Sequence, residues 1–195
     1  MRTPVLLYAI ATALCLTTLP ALAHTGEGVG GLVSGLFHPI TGPDHVVAMV
    51  AVGLWGAILG RPAVWMLPVA FPVVMAFAGA LGIMQVPFPG VETGIALSGI
   101  VLGAMVLFAV KPPVQVALAM VAVFALFHGY AHGAELPESL NPVAYALGFV
   151  VATGLLHLTG IAIGLLMKWP AGRVAVRGTG GLIALAGAAF LTGYA

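Results

Sequence analysis

Histidine and carboxylate side chains concentrate in two short segments of an otherwise apolar chain: His38-Pro-Ile-Thr-Gly-Pro-Asp44-His45 and His128-Gly-Tyr-Ala-His132-Gly-Ala-Glu135. Imidazole nitrogens and carboxylate oxygens suit divalent transition metals, and both groups are costly inside a bilayer, so their gathering points to a cation site. If the second segment is helical, His128, His132 and Glu135 at i, i+4 and i+7 share one face as a polar ladder. His157 adds an imidazole from another segment. His24 is a further candidate, because as a first residue its amine and ring could chelate one ion together. Taken singly, some of these residues have plainer roles: Asp44 after a proline as a helix cap, Glu135 as an interfacial charge, His157 as a donor to a neighbouring helix carbonyl. Glu92 and Glu138 read as solvated loop charges.

The elements that must position these groups follow from composition. Of 195 residues, 62% are hydrophobic and only 6% charged, which defines an all-α integral membrane protein. Arg2, the apolar run Val5 to Leu19 and Ala21-Leu22-Ala23 have the form of a cleaved signal peptide over residues 1–23, with an uncleaved first helix as the alternative. Residues 24–195 are then a single transmembrane domain. Cys15 lies in the removed segment, so disulfides and thiolate ligands are excluded from the mature chain.

Six apolar spans are expected, at 31–60, 64–84, 92–110, 114–135, 142–167 and 174–194, forming a six-helix bundle with short connections. Thirty residues of continuous helix would run about 45 Å, beyond a hydrocarbon core of about 30 Å, so the first span must break. Pro39, Gly42 and Pro43 place that break near 39–43. Broken helices in transporters line substrate sites, and His38 and Asp44-His45 flank this one. His157 lies about 22 Å below the outer end of its span. Gly56-x3-Gly60, Gly99-x3-Gly103 and Gly160-x3-Gly164 read as helix-packing positions, and Trp55, Trp65 and Trp169 as an aromatic belt.

The basic residues of the mature chain, Arg61, Lys111, Lys168, Arg173 and Arg177, fall in alternate breaks. The positive-inside rule makes those breaks cytoplasmic and both mature termini extracytoplasmic, in the cytoplasmic (inner) membrane. Glu27, Asp44, Glu92, Glu135 and Glu138 fall toward the opposite face, where an acidic entrance would concentrate cations. Near-neutral net charge and the absence of a soluble domain leave the lipid bilayer and a divalent ion as partners, with no nucleic acid. Glycine faces leave a homo-oligomer open.

Phe37-His38-Pro39 through Gly42, Asp44-His45, Met49 to Gly53-Leu54-Trp55, and Phe127-His128-Gly129-x-Ala131-His132-Gly133-x-Glu135 resemble the HupE/UreJ family of small nickel or cobalt permeases. The resemblance covers essentially the whole mature chain, including the His24-Thr25-Gly26 start. It implies secondary transport of nickel into the cytoplasm, serving maturation of urease or nickel-iron hydrogenase, with no prosthetic group. Ligand type alone does not separate nickel from cobalt, zinc or copper. No G-x4-G-K-[ST] loop is present for an ATP-driven pump. An intramembrane zinc-dependent hydrolase would use similar ligands, although Gly129 stands where H-E-x-x-H requires Glu. A haem carrier using two facing histidines is a third class, and acids beside the histidines disfavour it.

Overall fold

The computed structural model describes residues 30–137 and 140–193, and all regular structure among them is helical. The expected signal peptide, His24, Glu27 and Glu138 lie outside the described residues. The helices are α1 (Gly31–Thr41), α2 (Pro43–Leu59), α3 (Ala63–Ile83), α4 (Val91–Leu107), α5 (Val114–Ala134), α6 (Pro142–Gly164) and α7 (Pro170–Thr192). A 3-10 turn, Leu165–Lys168, continues α6.

The first span breaks as its length demands. α1 and α2 meet at Gly42 with a bend of 80°. The Gly42 N–H and the Thr41 hydroxyl both donate to the His38 carbonyl, at 3.2 and 3.1 Å, so the end of α1 satisfies carbonyls that its helix abandons. Pro43 then opens α2 at the position where a missing N–H costs nothing, and Asp44 places negative charge in the first turn.

Among the described residues four helices are long and apolar enough to cross a bilayer, and the bent pair α1–α2 makes a fifth. α4 has 17 residues, about 26 Å, against a core of about 30 Å. The last span begins earlier than the apolar pattern suggests, at Pro170, so Arg173 and Arg177 lie in the first turns of α7 rather than in a break. Arg177 Nε donates to the Leu107 carbonyl at 2.7 Å, joining the start of α7 to the end of α4.

Backbone-to-backbone approach at glycines sets the pairing. α1 and α2 both run along α6, with Gly35 against Tyr145 and Gly53 against His157 and Gly160. α3 runs beside α5, with Gly133 against the Gly79 carbonyl. α4 and α7 meet at Gly103–Gly180 and Gly99–Gly187. A Cβ at any of these would collide with the neighbouring backbone, the close-approach role expected of Gly99, Gly103 and Gly160. Gly60 differs: it has no neighbour that a Cβ would touch, and its φ of 78° ends α2 in a conformation other residues resist. Trp55 also departs from the belt expectation. It is fully buried and its indole N–H donates to the Val110 carbonyl at 2.9 Å, whereas Trp65 and Trp169 are exposed.

Candidate metal centre

The fold brings four histidines from three helices into ring contact. His38 in the last turn of α1 and His45 in the first turn of α2 face each other across the Gly42 bend, with ring centroids 5.7 Å apart. His132 of α5 stands against both, at 4.8 Å from His38 and 4.2 Å from His45. His128, one turn earlier on α5, is 5.4 Å from His45.

His38, His45 and His132 each present one ring nitrogen within 4.8 Å of the other two. Metal–imidazole bonds of about 2.1 Å allow ligand nitrogens up to about 4.2 Å apart, so a small inward movement suffices to close this triad on an ion. Among the described residues neither ring nitrogen of His132 has a hydrogen-bond partner, nor has His45 Nε2, although all are buried. Buried imidazoles without partners are costly, and a cation is a partner that satisfies several at once.

Asp44 supports the triad from outside. Its Oδ2 lies 2.7 Å from His45 Nδ1, close enough for the carboxylate charge to act on the ring although the two do not align as a hydrogen bond. Gly42 leaves room for this pair, since a Cβ there would lie 3.0 Å from His45 Nδ1 and 3.1 Å from Asp44 Oδ1.

His128 is held by a residue the sequence did not single out. Ser98 Oγ of α4 donates its one proton to the Ile95 carbonyl at 2.6 Å, so toward His128 Nε2, at 2.9 Å, it must accept. With the Ser98 proton on that carbonyl, the matching His128 tautomer carries its proton on Nε2 and leaves the unpartnered Nδ1 as acceptor. The signal for Ser98 was present as a hydroxyl within an apolar helix, where burial demands a partner.

The other expected ligands separate from this group. Glu135 caps the end of α5 with its N–H still bonded to the Ala131 carbonyl, so it keeps its position on the helical ladder but is exposed, outside the imidazole cluster. Partial desolvation raises its carboxyl above the usual range, and the Glu92 charge in the first turn of α4 adds to the effect. His157 is fully buried on α6, edge-on to Phe71 at 5.6 Å, and Phe71 also touches His128 at 5.7 Å. Phe149 and Tyr145 of α6 complete the wall, at 4.3 Å from His132 and 5.9 Å from His38. A mainly apolar cavity of about 170 Å³ between α3, α5 and α6 reaches His132.

A bundle of apolar, membrane-length helices enclosing a broken helix defines a multi-pass membrane protein, one that gathers at the break a cluster of imidazoles able to hold a cation. The HupE / UreJ protein family matches residues 12–190, and the chain belongs to it. Protein HupE of Rhizobium leguminosarum bv. viciae is 48% identical over 186 residues, covering 94% of this chain and 97% of that protein. No solved structure matches.

Proposed function

We propose that the protein is a secondary transporter carrying nickel, with cobalt as a second cargo, across the cytoplasmic membrane into the cell, where it supplies urease or nickel-iron hydrogenase maturation. The observation that carries this reading is the triad of His38, His45 and His132 at the Gly42 break, with His128 beside it. Imidazole ligands with water in the remaining positions suit nickel(II). Membership of the HupE/UreJ family supports the same reading.

In the proposed topology α4 also spans the membrane, third in chain order, and brings the count to six, because it packs against the longer α7 on both Gly99 and Gly103. Residues 1–23 are removed as a signal peptide, and the ends carrying Arg61, Lys111 and Lys168 face the cytoplasm. The histidine cluster then opens to the outside, with Glu92 and Glu135 at its mouth. An inside-negative potential favours entry of each charge by about 2.3 kcal/mol per 100 mV, enough to drive a divalent ion without ATP.

The test is nickel uptake into sealed proteoliposomes under an inside-negative potential, with cobalt, zinc and copper as competitors. Uptake that follows the potential and is lost in His45→Ala and His132→Ala is expected. Tight nickel binding without passage to the lumen would overturn transport in favour of a sensor or hydrolase.

A further inference from the structure

His157 and Thr153 lie one turn apart on the same face of α6 and are both fully buried. Thr153 Oγ1 has no hydrogen-bond partner among the described residues, and the His157 ring meets the Pro68 carbonyl without a well-formed hydrogen bond. A helical threonine ordinarily turns its hydroxyl to a carbonyl of the preceding turn, as Thr159 does with Leu155 at 2.9 Å. Thr153 does not.

The facing helix supplies a third polar atom. Pro72 has no N–H, so the Pro68 carbonyl on α3 loses its helical donor, and His157 is the side chain that faces it. An imidazole that faces this carbonyl and a hydroxyl one helical turn away on the same face thus lie under-satisfied in the apolar interior. Phe71, between Pro68 and Pro72, touches both His157 and His128, so its ring stands between these groups and the outer histidines.

We propose that His157, Thr153 Oγ1 and the Pro68 carbonyl form a second, inner station for a divalent transition-metal ion, reached from the outer triad past Phe71. The inference rests on the transport reading and adds to it a second binding site. One nitrogen and two oxygens hold an ion more weakly than three imidazoles do, so the ion keeps more of its water here. Weak binding suits release, since a site on a path must be left as well as entered.

The experiment uses purified full-length protein with nickel chloride, by equilibrium dialysis and X-ray absorption, alongside proteoliposome uptake. His45→Ala is expected to retain one ion, bound at least tenfold more weakly, with a single nitrogen ligand in place of three or more. Adding His157→Gln to His45→Ala should abolish it. In the otherwise wild-type chain, His157→Gln should lower uptake at least tenfold while outer-site affinity stays within twofold. Thr153→Val should also lower uptake, and Thr153→Ser restore it. Glutamine can still donate to the Pro68 carbonyl, so wild-type uptake by His157→Gln, with no ion on His45→Ala, would show a mere cap and overturn the station while transport stands. Conversely, a wild type that takes up no nickel, whose His45→Ala form holds a His157-dependent ion, would refute transport and keep the station.

Discussion

Ser98→Ala removes one oxygen from the fully buried interior and touches none of the triad. Two consequences follow from the donor count. The Ile95 carbonyl keeps its helical donor, so its loss is small. His128, wholly buried, is left with an Nε2–H and no acceptor, a penalty of about 1–3 kcal/mol for a neutral donor. The ring can escape part of that cost by moving its proton to Nδ1, which puts hydrogen where the lone pair had faced the cluster. Loss of an outer-shell partner of this kind typically weakens metal binding about 10- to 100-fold, and the lower end corresponds to about 1.4 kcal/mol. Nickel titration of the detergent-solubilised protein should show at least a tenfold weaker site. Nitrogen-15 spectra of histidine-labelled protein should show His128 changing from the Nε2–H form to a mixture of tautomers. Unchanged nickel affinity together with an unchanged His128 signal would refute the assignment of Ser98 as the group that sets this ring.

Glu135→Gln should alter nickel affinity less than threefold, with an effect that disappears at high salt, because the carboxyl is exposed beyond the end of α5. Titration at two ionic strengths checks this. Gly133→Ala should lower stability by about 1–3 kcal/mol, since the new methyl meets the Gly79 backbone and α3 and α5 must separate. Thermal unfolding in detergent reads the loss, and an unshifted midpoint would contradict the α3–α5 contact. Nickel binding should weaken on acidification, because protons compete for the same nitrogens. Attraction at the mouth should also fade earlier on acidification than for a free carboxylate, since the Glu135 carboxyl titrates above its usual range. Affinity unchanged over the whole pH range in which the protein stays folded would exclude histidine ligands.

Much of this architecture was legible because bilayer physics leaves few choices. The break in the first span followed from a length that exceeded the membrane and from Pro39, Gly42 and Pro43. The four clustered histidines were legible by cost alone. What escaped was decided by neighbours distant in sequence. Trp55 turned inward because the Val110 carbonyl offers its indole a partner 55 residues away. Glu135 kept its place on the ladder as the residue that caps α5, yet the helix ends there and leaves it exposed. Arg173 and Arg177 looked like loop charges, yet Pro170 can start a helix and long side chains at its end reach out of the apolar layer.

The triad is divided between parts of the bundle that pack largely on other things. His38 and His45 belong to α1 and α2, which lie along α6 at Gly35–Tyr145 and Gly53–Gly160. His132 belongs to α5, which lies along α3 at Gly133–Gly79. Direct packing of α2 against α5 is slight beside these contacts. An ion held by all three imidazoles is therefore a link between units that the backbone joins only indirectly. Saturating nickel at about 100 times its dissociation constant should add about 2.7 kcal/mol to the bound form. That energy should reach both units at once, so amide hydrogen exchange is expected to slow together in residues 38–46 and 128–134. Protection confined to one of the two segments would mean that the ion sits on one helix pair alone, and that the rings brought together at Gly42 do not share it.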